Sequence, residues 1–168
     1  MNNLKEVLSK CMRKTSWGLV EDPLAQDILN SPYLKDLEKS LDNLKLPYLE
    51  PLSAGVFHLV LSAGNNVVKI GFGQLQDILN IPEILQPIIR QQIGSLRYEI
   101  MPKANTVNVT QEDLDNIVSN LNEKGYHWGD SGIDNIGLIN GKPFIIDADG
   151  IQKINVIISN TKKTIKIK

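Results

Sequence analysis

Apolar residues recur at helical spacing from Leu4 to Leu46, with Leu4, Val7, Leu8 and Met12 first and Leu34, Leu37, Leu41 and Leu44 later. This predicts two or three helices, broken at Trp17-Gly18, Pro23 and Pro32, with Ser31 capping a helix that begins at Pro32. Pro47 closes the region. From Tyr48 to Phe72 the pattern shortens to apolar runs separated by small residues, which predicts three antiparallel strands. Gly64-Asn65-Asn66 supplies the turn between the second and third. Leu75, Ile78 and Leu79 give helical periodicity over 74–86, and Ile88 to Ile93 and Leu96 to Met101 read as two further strands hinged at Gly94-Ser95.

In the last third, Thr110-Gln111-Glu112-Asp113 is a capping-box-like helix start, and the helix runs through Leu114, Ile117, Val118 and Leu121 to Gly125. The stretch from Tyr126 to Asn135 is rich in Gly and Asp and reads as a loop. Asn140-Gly141 between two apolar runs predicts a hairpin with a type I′ turn. The tail alternates and is basic, with Lys153, Lys162, Lys163, Lys166 and Lys168, which suits an acidic partner, a nucleic acid or a solvated strand.

The 168 residues suit one α+β domain with a sizeable core, and 42% hydrophobic with 22% charged residues is an ordinary globular composition. A net charge of -1 argues against a surface that coats phosphates over the whole molecule. Cys11 is the single cysteine, and His58 and His127 are the only histidines, so neither a disulfide within the chain nor a zinc site is predicted. No apolar run approaches a membrane span, and the N-terminus lacks a signal-peptide core. The expectation is a cytoplasmic protein in a reducing compartment, without membrane contact.

A two-residue turn at Asn140-Gly141 pairs Ile139 with Lys142 and, further out, brings Asp134, Asn135 and Asp147 within one strand spacing. Carboxylates converging on loop ends are costly unless a cation or a protonation offsets them, and magnesium, the simplest candidate, needs few protein oxygens when phosphates supply the rest. The plainer alternative is a set of Asx residues closing a hairpin. Asp-x4-Asn alone is uninformative, because Asp115 and Asn120 repeat the spacing inside the predicted helix.

The order of features says more. A helix, a Gly/Asp-rich loop with Asp130 and Asn135, a hairpin, an apolar run and Asp147 follow one another. Upstream, Leu52-Ser53-Ala54-Gly55-Val56-Phe57-His58-Leu59-Val60 precedes Val67-Val68-Lys69-Ile70, with Tyr98-Glu99-Ile100-Met101-Pro102-Lys103 beyond. Over 48–150 this resembles the protein-kinase-like superfamily, including the aminoglycoside and other small-molecule kinases. The resemblance implies a small antiparallel N-terminal sheet (48–104), a strongly reduced helical C-lobe with the catalytic-loop-like hairpin (105–168) and an N-terminal helical extension (1–47). It implies ATP and magnesium as cofactors. Asp130 would orient an acceptor hydroxyl, Lys69 would contact the phosphates, and Asn135 and Asp147 would hold the metal. Gly55 would belong to the phosphate cover, Val68, Glu99 and Met101 would line the nucleotide site, and Glu83, with Asp77 competing, would pair with Lys69.

Several positions depart from that pattern. Trp128 stands two residues before Asp130, where the family has His or Tyr, and Gly132 stands where many members carry a base. The cover has one glycine, and the Asp-Phe-Gly element reads Asp147-Ala148-Asp149, which makes Asp149 either a second metal ligand or a turn residue. Only eighteen residues follow Gly150, so no activation segment or peptide-binding platform is implied. Three readings result: a minimal kinase-like phosphotransferase acting on a small molecule, nucleic acid or protein; a pseudokinase serving as a phage-encoded or toxin-linked regulator; or a small α+β domain whose spacing is coincidental.

Overall fold

The computed structural model describes residues 2–54, 58–158 and 163–167 and divides into two units, Met1–Asp77 with Pro87–Lys103, and Ile78–Gln86 with Ala104–Lys168. The fold class is α+β, with four α-helices and a five-stranded antiparallel sheet among the described residues. None of these helices is long and apolar enough to cross a membrane.

The first unit runs α1 (Leu4–Lys10), β1 (Met12–Thr15), β2 (Gly18–Glu21), α2 (Pro23–Leu29), α3 (Leu34–Asp42), β3 (Glu50–Ala54), β4 (Leu59–Ala63), β5 (Asn66–Phe72), β6 (Ile89–Ile93) and β7 (Leu96–Pro102). Helices α1 and α3 arise where the spacing of Leu4, Val7 and Leu8 and of Leu34, Leu37 and Leu41 predicts them, whereas Met12, counted with the first, lies exposed on β1. Asp22 caps α2 by accepting from Leu24 and Ala25, and Pro23 occupies the first turn, where a missing N–H costs nothing. Ser31 does not cap a helix at Pro32: its hydroxyl accepts from Tyr33 N at 3.1 Å in a local turn, and α3 begins at Leu34. Between α1 and α2 the chain forms the β1–β2 hairpin, where the sequence pattern showed only a break.

The large sheet has the order β3-β4-β5-β7-β6. Alternation gives it two unlike faces. Leu59, Leu61, Val68, Ile70, Tyr98 and Ile100 are buried and join Leu4, Leu8, Ile28, Leu37 and Leu41 of the helices in one core. Ser40 and Tyr98 share a hydroxyl hydrogen bond of 2.7 Å across it. The other face carries Val60, Lys69, Glu99 and Arg90 in one cross-strand row. The β6–β7 turn needs Gly94, whose φ is +58° and whose missing side chain leaves room for the Tyr33 ring.

The second unit contains α4 (Gln111–Glu123), β8 (Tyr126–Trp128), a 3-10 turn (Ile133–Asn135), β9 (Ile136–Ile139), β10 (Lys142–Ile145), β11 (Ile151–Ile158) and β12 (Lys163–Ile167). The capping box at Thr110 forms in both directions with Asp113. Asn140 and Gly141 both have positive φ, 51° and 78°, as a type I′ turn requires. Leu114, Ile117 and Leu121 of α4 pack with Trp128, Ile136, Ile145 and Ile84 in a second core. The basic tail pairs β12 with β11, while Lys162 and Lys168 lie outside the described residues.

Two predictions are corrected here. Residues 74–86 form no helix. Pro82 removes an N–H, Pro87 biases Gln86 toward extended backbone, and the chain instead bridges Ile84 to Ile145, with Ile145 N donating to Glu83 O at 2.7 Å and Leu85 N to Ile145 O at 2.9 Å. Residues 126–128 are a strand rather than loop, because β11 pairs with them (Trp128 with Ile151, Gln152 with His127).

Candidate functional site

In the second unit, two ladders enclose the acidic residues. The β9–β10 register pairs Ile136 with Ile145, and Ile146 N donates to Asn135 O at 2.9 Å as the next step. The β8–β11 register ends one step past Trp128 and Ile151, where Gly129 N donates to Gly150 O at 3.0 Å. The chain therefore leaves regular pairing twice, over 130–134 and over 147–149, and these two segments hold Asp130, Asp134, Asp147 and Asp149.

Local bonds fix both segments. Asn135 Nδ2 donates to Asp130 O at 3.0 Å, which draws the loop into a closed turn. That bond uses the amide nitrogen and leaves Asn135 Oδ1 as an acceptor. Asp147 Oδ1 accepts from Asp149 N at 3.2 Å, an Asx turn that leaves its second oxygen for another partner. The Trp128 indole donates to Asp149 O at 3.0 Å. Gly150 has φ +83°, and a Cβ there would come within 3.0 Å of Asp130 Cβ, so the two segments touch at this point. Asp130 itself is exposed, and Asn135 and Asp147 are half-buried.

The predicted pairing of Asp134 with Asp147 does not form, because Asp134 lies in the 3-10 turn and the ladder stops at Asn135. Among the described residues no three His, Cys, Asp or Glu side chains converge as a metal cage. Asn135 Oδ1 and the Asp147 carboxylate are the oxygens at these loop ends that could hold a metal of the magnesium kind, which keeps waters and takes further ligands from phosphate.

Glu83 belongs to the second unit and is buried. Its ion pair is with Lys124, at the C-cap of α4, and its Oε2 is buried without a hydrogen-bond partner. The helix expected to present it is the one that does not form.

In the first unit, Lys69 lies on β5, the central strand of the sheet and the third in chain order, between Val60 and Glu99. Glu99 also faces Arg90, whose Nε is 3.3 Å from Glu99 Oε2. Met101 is buried and shares this face, since Val67 pairs with it. Val68 is fully buried on the opposite face, in the helix-packed core. Gly55, with Val56 and Phe57, lies outside the described residues. Asp77, the weaker candidate partner of Lys69, is exposed in an irregular segment.

Two residues escaped the sequence reading. Arg97 and His58 meet on the Lys69 face of the sheet, with Arg97 Nη2 3.2 Å from His58 Nε2. The alternation Arg97, Glu99, Met101 against Leu96, Tyr98, Ile100 was the available signal for Arg97. The contact itself depends on strands 39 positions apart in the chain. Compared with known protein families and with curated proteins, the chain matches no family and no curated protein.

Proposed function

We propose that this protein is a minimal kinase-like phosphotransferase that takes a magnesium-bound nucleoside triphosphate, ATP by the resemblance of its motifs. The observation that carries the proposal is the doubly closed loop pair of the second unit, in which Asn135 is bonded to Asp130 and sits one ladder step from Asp147. A lysine on the third strand of an antiparallel sheet supports it independently.

Each residue then has a role. Asn135 Oδ1 and the Asp147 carboxylate hold the metal, which when bound neutralises phosphate charge. Lys69 donates to the phosphates as a point charge. The exposed Asp130 carboxylate orients the acceptor hydroxyl and accepts its proton, while its main-chain oxygen is fixed by Asn135. Positioning supplies most phosphoryl-transfer catalysis, so a small fold can suffice. Gly132 puts no cation beside Asp130, which lowers the electrostatic stabilisation available to the moving phosphoryl group.

The test is a thermal-shift comparison of ATP, GTP and ADP with magnesium and with chelator, followed by labelled-phosphate transfer. Stabilisation that requires magnesium together with transfer supports the proposal. Equal shifts in chelator overturn the metal assignment.

One observation favours a second reading, a nucleotide-binding regulator without turnover. Residues 74–86 form no helix, and Glu83, the glutamate the family resemblance assigns to that helix, is engaged by Lys124. Magnesium-dependent binding with no transfer to any acceptor selects this reading.

A further inference from the structure

Gly71 leaves one position on the Lys69 face of the sheet without a side chain. The β4–β5 register, carried one step past Leu59 and Ile70, sets His58 on one side of it. The β5–β7 register sets Arg97 on the other. The two side chains meet across the glycine, Arg97 Nη2 lying 3.2 Å from His58 Nε2. A guanidinium has no acceptor, so His58 accepts at Nε2 and carries its proton on Nδ1. The Arg97 guanidinium is always charged, and every polar group on it is an N–H donor.

Arg97 Nε is buried without a hydrogen-bond partner. A buried donor is costly unless an acceptor reaches it, and an oxyanion is the acceptor that a guanidinium matches best. Lys69 stands two residues from Gly71 on the same strand and the same face. Glu99, two residues from Arg97, is matched by Arg90 at 3.3 Å, so its charge is already answered.

We propose that Arg97 and His58 form a binding position for a phosphate group of a polyphosphate ligand, on the sheet face that carries Lys69. This deepens the proposed function and rests on it for the nucleotide, although the chemistry described also admits inorganic tripolyphosphate.

Titration calorimetry of the full chain with magnesium-ATP, magnesium-tripolyphosphate and adenosine tests it, using wild type, Arg97→Gln, Arg97→Lys and Asp147→Ala. Arg97→Gln should weaken both polyphosphates about 10- to 100-fold and leave adenosine unchanged. Arg97→Lys, which keeps the charge and loses the fork, should fall between, and it carries the test if Arg97→Gln does not fold. Unchanged tripolyphosphate and ATP affinity in the Arg97 variants, with ATP binding still sensitive to Asp147→Ala, overturns this position and leaves the proposed function standing. Arg97-dependent tripolyphosphate binding with ATP no tighter and Asp147→Ala silent does the reverse. A wild type that binds neither polyphosphate overturns both.

Discussion

The indole nitrogen of Trp128 donates to the main-chain oxygen of Asp149 at 3.0 Å, joining the end of β8 to the turn after β10. The ring is buried in the second core, the cluster that also holds Leu121 and Ile145. The indole thus packs and bonds at once, which a histidine or tyrosine would do with different reach. Trp128→Phe keeps most of the packing and deletes the donor, so it should cost about 1 kcal/mol of stability. Trp128→Ala should cost about 3–5 kcal/mol. Urea denaturation of the pair separates the bond from the packing, and wild-type stability in Trp128→Phe would show that the bond contributes nothing.

Asp130 and Asp147 should separate binding from chemistry. Asp147→Ala removes one of the two proposed metal ligands and is expected to abolish the magnesium-dependent part of the ATP thermal shift. Asp130→Ala leaves the Asn135 bond to the main-chain oxygen in place, because the side chain takes no part in it. It should therefore keep nucleotide affinity and lower turnover about 10²- to 10⁴-fold. Asp130→Ala with wild-type turnover would remove the general-base role.

Gly150 provides a geometric test of the same loop pair. Its φ of +83° suits glycine, and an added Cβ would meet Asp130 Cβ at 3.0 Å and Asp130 N at 3.1 Å. Gly150→Ala should cost about 1–2 kcal/mol from backbone strain alone and displace Asp130 as well. Phosphate transfer should fall more steeply than nucleotide affinity in this variant. Gly141→Ala is the control: its φ of +78° carries similar strain, and nothing lies within 4 Å of the added Cβ. Equal activity losses in the two variants would refute the coupling.

The local parts of this architecture were legible in the sequence, and the non-local parts were not. The Asn140-Gly141 turn fixed its own register, and that register continues to Asn135 as arithmetic alone predicts. The Thr110 capping box and the alternation of β5 and β7 were equally local. The strand at 126–128 was hidden because its partner, β11, lies more than twenty residues downstream across the hairpin, and Gly- and Asp-rich flanks masked a three-residue pairing. Residues 74–86 misled for the opposite reason: Leu75, Ile78 and Leu79 have helical spacing, yet the chain is irregular there, kept out of the helix by two prolines, and Ile78 joins Ile81 and Ile84 at the second core. In the candidate site the same division holds. Asp130, Asn135 and Asp147 share a short stretch and could be found by spacing, whereas the Arg97–His58 contact exists only once β4, β5 and β7 are aligned.

The N-terminal hairpin has a pH dependence of its own. Cys11 and Asp22 close its base, with Asp22 N donating to Cys11 O at 3.0 Å. The thiol is buried and donates to Val7 O at 3.2 Å. Burial, and then the nearby Asp22 carboxylate, push the Cys11 thiol above its ordinary range. The folded chain thus keeps this proton at pH values where the unfolded chain, with a free thiol near pKa ~8.5, has lost it. The stability this contributes is complete below the unfolded value and declines as pH rises through the folded one. Denaturation midpoints should therefore fall above about pH 8.5, and Cys11→Ala should flatten that part of the decline. Iodoacetamide should label the native protein slowly at pH 8 and the urea-unfolded protein quickly, because the thiolate is the reactive form. Rapid labelling of the native chain, or an alkaline slope unchanged in Cys11→Ala, would mean that the thiol is neither shielded nor shifted by its place beside Asp22.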